Sequence, residues 1–359
     1  MSLMPTPWEA LLEGVLEGKP LTRPEAVRLY QEADLWSLGK AADLMRRRQC
    51  DPSIVTFLID RCVNYTNVCG TRCKFCAFAT HVGSSDAYIL EPEAAVAKVH
   101  EAVAKGATQI LLQGGHHPAL EMGYYLRLLS AIKKAHPGVT LHAFSPPELV
   151  HLSRLFHRKV QDLLVAFREA GMDSMPGGGA EILSDRVRAL TSPAKATTQE
   201  WLGVMRILHG LGMRSTATMM FGHLETIPER VEHLFLIREL QMETKGFLGF
   251  IPWLYQPGNE ALGLSAAGGQ TYLRTLALSR LVLGDVLPNL QASWVTPGKK
   301  VGQLGLVFGA NDFGSVMLEE NVVAATGLHY DMELDEMRRL IRGAGFQPRQ
   351  RATDYRPVS

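Results

Sequence analysis

The chain has 359 residues, room for one large α/β domain or two ordinary ones, and its 46% hydrophobic and 20% charged content is ordinary for a globular protein. A net charge of +1 argues against a surface built for nucleic acid or an acidic membrane, and no apolar run reaches membrane-spanning length. The start, Met1-Ser2-Leu3-Met4-Pro5-Thr6, has no basic segment leading into an apolar core, and five cysteines with three clustered suit a reducing compartment, so a cytoplasmic protein is expected.

Residues 8–60 read as helical, with Trp8, Leu11, Leu12, Val15 and Leu16 at helical spacing and Thr22 as N-cap of a second helix. From Cys62 onward a short apolar strand, a loop and a helix alternate. Strands are predicted at Val63–Asn67, Thr108–Gln113, Thr140–Phe144, Asp173–Met175, Arg214–Phe221, Gly246–Ile251, Asn289–Trp294 and Gly305–Phe308. Helices are predicted between them, then at about Gly314 to Ala325 and Met332–Arg342. Eight strand–helix units predict an α/β fold, a (β/α)8 TIM-type barrel. The competing architecture is a doubly wound open sheet. The expected organisation is a helical cap over 1–60, the barrel over 61–330 and an extension over 331–359 packed on the barrel.

The most distinctive stretch is Cys69-Gly70-Thr71-Arg72-Cys73-Lys74-Phe75-Cys76, a C-x3-C-x2-C run. Three thiolates in one short loop can chelate one metal centre. With His81 they also suit a closed Cys3His zinc site. A ferredoxin ligates its four-iron cluster with four cysteines, and no cysteine follows Cys76. Three-cysteine ligation leaves one iron open, which resembles the radical S-adenosylmethionine (SAM) enzymes. Phe75 fits that reading as an apolar ring beside sulfur and adenine. Cys50 and Cys62 read as buried thiols.

The remaining unusual residues follow predicted strands, where a parallel barrel carries its active site. Gln113-Gly114-Gly115 resembles the segment that holds the methionine amino group of SAM. Ser145 is a candidate for a ribose or carboxylate, and Glu181, after Gly177-Gly178-Gly179, for the ribose hydroxyls of SAM or merely for a helix dipole. His223 and Glu225 follow the fifth strand, and Asp312 and Glu320 the eighth. All four are candidate proton acceptors. Trp253, Gln256, Trp294 and Asn311 are candidates for binding substrate.

Taken together, Asn64-Tyr65-Thr66-Asn67, Cys73-Lys74-Phe75-Cys76-Ala77-Phe78, His142-Ala143-Phe144-Ser145-Pro146, Met219-Met220-Phe221-Gly222-His223 and Gln291-Ala292-Ser293-Trp294 are similar to the cyclic dehypoxanthinyl futalosine synthases of the futalosine route to menaquinone. The nearest rival is the tyrosine-using component of deazaflavin F0 synthase. The triple glycine, the Pro252–Pro257 segment and Phe313-Gly314-Ser315 with Glu319–Val323 separate the two in favour of the first. The resemblance implies a [4Fe-4S] cluster held by Cys69, Cys73 and Cys76, SAM as cofactor, dehypoxanthine futalosine as substrate, and a reduced flavodoxin or ferredoxin-type electron donor. The partner of the substrate carboxylate is left open among Arg61, Arg280 and backbone amides.

Overall fold

A computed structural model describes residues 6–258, 260–329 and 331–358. Its strands are β1 (Ile54–Leu58), β2 (Asp60–Asn64), β3 (Gln109–Gln113), β4 (Thr140–Ala143), β5 (Ser174–Met175), β6 (Arg214–Phe221), β7 (Phe247–Leu254), β8 (Asp312–Ser315) and β9 (Gln347–Gln350). Strands β2 to β7 form one parallel sheet in chain order, and β8, β1 and β9 form another. Backbone bonds join the two sheets at both seams. Residues 289–292 bridge β7 and β8, through Phe250 N–H to Asn289, Gln291 N–H to Phe250 and Ala292 N–H to Asp312. On the other side Val316 N–H donates to Leu58, Leu318 N–H to Asp60 and Cys62 N–H to Glu319. The sheet therefore closes on itself, as expected for a TIM-type barrel and unlike a doubly wound fold.

Four expected elements differ. The strand expected at Asn289–Trp294 is an irregular run joined to its neighbours only by isolated bridges, Leu290 to Phe250 and Gln291 to Asp312. Residues 8–60 are not helical throughout: helices Pro7–Leu16, Arg23–Glu32 and Leu35–Gln49 form the cap, and then the chain turns into β1, inside the barrel wall. Thr22 does cap the second helix, with Glu25 reaching back to its amide at 2.8 Å. Gly305–Phe308 is no strand but the end of helix Lys299–Gly305 and the turn after it. The eighth strand is Asp312–Ser315. The expected helix over 314–325 is an extended segment ending in a 3-10 turn at Ala324–Thr326.

The residues after helix Leu334–Gly343 enter the wall as β9, register Ile54 to Gln347 through Phe57 to Gln350. Beyond it Arg351 and Thr353 turn inward and are buried. The Arg351 guanidinium lies 3.9 Å from the Tyr355 ring centroid. The tail thus plugs the N-terminal end of the barrel.

Candidate active site

The cysteine loop leaves β2 and is fixed by side chains that the sequence already singles out. Asn67 donates to the Asp86 carbonyl (2.8 Å) and accepts from Tyr88 N–H (2.9 Å), and Thr66 donates to the Tyr88 carbonyl (2.6 Å). Gly70 N–H donates to His116 and Lys74 N–H to Thr191. A Cβ on Gly115 would stand 2.2 Å from the Val68 carbonyl oxygen, and one on Gly114 would stand 2.6 Å from the Tyr65 ring. The glycine pair after β3 is thus required by the approach of the cysteine loop itself.

Cys73 is buried, while Cys69 and Cys76 are half-buried. Burial pushes the Cys73 thiol up to about 12, against the pull of Lys195. Burial also raises Cys76, where the Ala79 and Phe78 amides oppose it. Lys195 donates to Glu181 Oε1 at 2.9 Å and sits 5.5 Å from the Phe75 ring centroid. Burial disfavours its charge, but Cys73 and Glu181 outweigh that and hold it protonated. Glu181 has φ of 39°, a left-handed conformation uncommon outside glycine. Its Oε2 is buried without a hydrogen bond, 3.5 Å from Arg188. The triple glycine before it is explained by crowding. A Cβ on Gly177 would lie 2.7 Å from β6 backbone, and Gly179 has φ of 71° with Pro147 where its Cβ would go.

A cavity of about 280 Å³ runs down the barrel from this end. Gln113, Gly178, Trp253, Glu320 and Val323 line its upper part, while Leu111, Ile251, Trp294 and Met317 contribute apolar wall. Asp60, Gln109, His142, Ser315, Arg351 and Thr353 add polar groups. Asp60 accepts from Ser315 Oγ (2.6 Å) and Gln109 Nε2 (3.0 Å), and Gln109 accepts from Thr353 Oγ1 (2.8 Å).

The expected residues divide. Gln113, Trp253, Trp294 and Glu320 line the cavity, with the Trp294 indole donating to the Ser315 carbonyl at 2.9 Å. Ser145 caps helix Pro146–Phe156, and its hydroxyl donates to Glu148 (2.6 Å), which also accepts from Tyr65 (2.7 Å) and Gly114 N–H (3.2 Å). Gln256 is held by the Thr296 carbonyl (3.0 Å).

The proton-acceptor candidates are employed elsewhere. Asp312 is fully buried in a two-point ion pair with Arg351, and also accepts from Thr56 and Gly314 N–H. Glu225 is paired with Arg230 and accepts from the Gly222 and His223 amides, and although burial opposes its charge, Arg230 and His223 keep it below the ordinary carboxylate range. The His223 Nε2–H faces the Met220 carbonyl at 3.1 Å, and burial makes the ring a weaker base. Glu320 accepts from the amides of Val322, Val323 and Ala324.

Asn311 does not face the cavity: it accepts from Arg280 (2.9 Å) and Leu290 N–H (2.8 Å) and donates to Asn289. Arg280 is spent on Asn311 and on the Gly309 and Pro288 carbonyls. Arg61 is spent on Glu319, Glu101 and the Lys98 carbonyl. Neither arginine is available for a substrate carboxylate.

A radical SAM superfamily model matches residues 63–237, and a model described as the CofH/MqnC C-terminal region matches residues 244–359. The chain is 42% identical over 348 residues to the cyclic dehypoxanthine futalosine synthase of Halalkalibacterium halodurans, covering 97% of this chain and 94% of that one. It is 43% identical to the enzyme of the same name from Streptomyces coelicolor, covering 97% and 88%. The chain belongs to the radical SAM superfamily. It is an enzyme that uses a [4Fe-4S] cluster and SAM. A 5-amino-6-(D-ribitylamino)uracil–L-tyrosine 4-hydroxyphenyl transferase from Methanosarcina acetivorans is 38% identical, covering 98% and 94%. Among solved structures, methylornithine synthase superposes with a TM-score of 0.71 at 18% identity, over 94% of this chain and 97% of that one. The hydrogenase maturase HydG of Carboxydothermus hydrogenoformans gives 0.76 at 14%, over 97% and 80%. These two likenesses show the fold.

The residues present fit both radical SAM cofactors. Cys69, Cys73 and Cys76 lie on one short loop, Cys73 buried and the other two half-buried. A four-iron cluster spreads its three thiolates around a larger body. Beside them, the orphaned Glu181 Oε2 is a buried acceptor awaiting a hydroxyl donor, as a ribose would provide. Lys195, absent from the expected site, anchors that carboxylate. It lies in the loop Ser192-Pro193-Ala194-Lys195 that follows helix Asp185–Thr191, where no strand-end pattern marks it.

Proposed function

We propose that the protein cyclises dehypoxanthine futalosine to cyclic dehypoxanthine futalosine in menaquinone biosynthesis. The reading is carried by identity of 42–43% over 97% of the chain to cyclic dehypoxanthine futalosine synthases. When bound, the cluster and SAM supply a 5′-deoxyadenosyl radical, with reduced flavodoxin or ferredoxin as electron source. Hydrogen leaves C4′ of the substrate sugar, the carbon radical adds to the attached benzoate ring, and loss of an electron and a proton restores aromaticity.

The chain's own contribution is placement and dryness. Cys69, Cys73 and Cys76 hold the cluster, and Glu181, steadied by Lys195, takes ribose hydroxyls. Trp253 and Trp294 wall the aromatic part of the substrate, in a cavity whose apolar surface keeps water from a carbon radical. A tyrosine-dependent F0 synthase activity is the second reading, favoured by 36–40% identity to tyrosine-using transferases.

Anaerobic incubation with SAM, reductant and each substrate set decides between them. The expected products with dehypoxanthine futalosine are 5′-deoxyadenosine and a cyclic compound two hydrogens lighter. Turnover only with tyrosine and the deazaflavin precursor refutes the proposal.

A further inference from the structure

We propose that Asp60 is the carboxylate that accepts the ring proton when the cyclised substrate regains aromaticity, an inference that rests on the cyclase reading above. The step needs a base on the cavity wall. Few groups qualify. Glu320 has its oxygens engaged by three amides, and Arg351 is committed to Asp312. His142 is braced by Ser174 (2.7 Å) and Thr216 (3.4 Å), and burial depresses it to about 3, so it is a feeble base. Burial raises the Cys62 thiol well above its ordinary range.

Asp60 remains. It lines the cavity, is 5% exposed, and each of its oxygens accepts one side-chain hydrogen bond, which leaves further acceptor capacity on both. Burial raises its proton affinity, against the Ser315 and Gln109 bonds and the Arg351 charge, toward what a base working near neutrality needs. At about 3.3 Å per residue, Asp60 lies roughly 13 Å along the wall from Asn64, where the strand gives way to the cysteine loop. That depth lets the sugar sit near the SAM side and the aromatic ring beneath it.

In the step, the C–H bond at the substituted ring carbon breaks heterolytically. The proton passes to an Asp60 oxygen, and the electron pair re-enters the ring. The resulting radical anion then gives up one electron, for which the cluster held by Cys69, Cys73 and Cys76 would be the acceptor.

The test is Asp60→Asn, which keeps size and one of the two accepted hydrogen bonds while removing the basic oxygen. With SAM, reductant and substrate it is expected to form 5′-deoxyadenosine in a single turnover at close to the wild-type rate, to lose cyclic product at least 100-fold, and to accumulate an organic radical by electron paramagnetic resonance. In cluster-free protein, infrared titration is expected to show a carboxyl protonating above the ordinary range that vanishes in Asp60→Asn. The groups that share the cavity wall with it are Arg351 from the tail, Ser315 on β8, Gln109 on β3, Cys62 on β2, His142 on β4 and Glu320. Wild-type product rates in Asp60→Asn, or joint loss of 5′-deoxyadenosine and product from a folded variant, overturn the proposal. So does the absence of the raised carboxyl. Should Asp60→Asn not fold, Ser315→Ala decides: removing a donor to the anion moves the acidic limb of product formation to higher pH, and an unmoved limb refutes the role. Failure of wild type to cyclise refutes the cyclase reading instead, and leaves the infrared result standing as a separate observation.

Discussion

Arg351→Met offers a direct measure of how far the tail belongs to the barrel. Arg351 is 4% exposed and Asp312 is fully buried, and they meet through Nε–Oδ2 at 2.5 Å and Nη2–Oδ1 at 3.0 Å. Methionine keeps an apolar stem against Tyr355 but removes the charge. Asp312 is then left with the Thr56 hydroxyl at 2.6 Å and the Gly314 amide at 2.9 Å, too few to compensate a buried carboxylate. Breaking such a pair from one side costs about 3–5 kcal/mol, whereas replacing both partners by apolar groups is often nearly neutral. The expected result in urea unfolding of the cluster-free protein is a loss of that size for Arg351→Met, and recovery of most of it in Asp312→Leu/Arg351→Met. Arg338→Met, which removes an exposed partner of Asp335, should cost less than about 1 kcal/mol. A loss under about 1 kcal/mol for Arg351→Met, or a double variant no better than the single one, refutes the reasoning.

Three further outcomes are expected. Burial raises Glu148 to about 7 from 4.5, despite its three hydrogen bonds. The folded state therefore holds an extra proton between those values, and this contribution to stability, complete below pH 4.5, is lost as pH rises through 7; Glu148→Gln should flatten that slope in pH-dependent unfolding. Glu181→Gln should weaken SAM binding to the cluster-loaded protein about tenfold, the equivalent of one charge-assisted hydrogen bond, read by equilibrium dialysis; unchanged affinity rejects the ribose role. Cys73→Ala should abolish iron and sulfide incorporation while leaving the circular dichroism of the barrel intact.

What the sequence revealed and concealed has physical causes. The alternation from Cys62 to Ile251 is readable because its strands are short runs bounded by turn residues, whereas Asn289–Trp294 reads as a strand but is joined to its neighbours only by isolated bridges. Ile54–Leu58 was not readable, since a five-residue apolar run after a helix has no period that separates strand from buried helix. Gly305–Phe308 looked like a strand for the same reason, while Asp312–Ser315 carries no β-branched residue and is a strand because β1 and residues 290–292 pair with it. The cysteine loop and the glycines were legible because their chemistry is local. Asp60 and Lys195 were not: one lay in a segment taken for the helical cap, and the other acts through contacts that only folding creates.

The position of β1 has a consequence for how the chain assembles. It is the first strand in order, yet its partners β8 and β9 are among the last segments, and the Thr353–Gln109 bond that seals the plug joins residues 244 apart. Closing so long a loop adds only modestly to the entropic cost, but dependence on distant contacts slows folding. During synthesis the first strand must wait, its apolar Ile-Val-Thr-Phe-Leu edge unpaired, while the sheet from β2 to β7 forms beside it. The inside of the barrel is sealed from below only when the tail arrives, so the earliest strand to be made is the last to be paired.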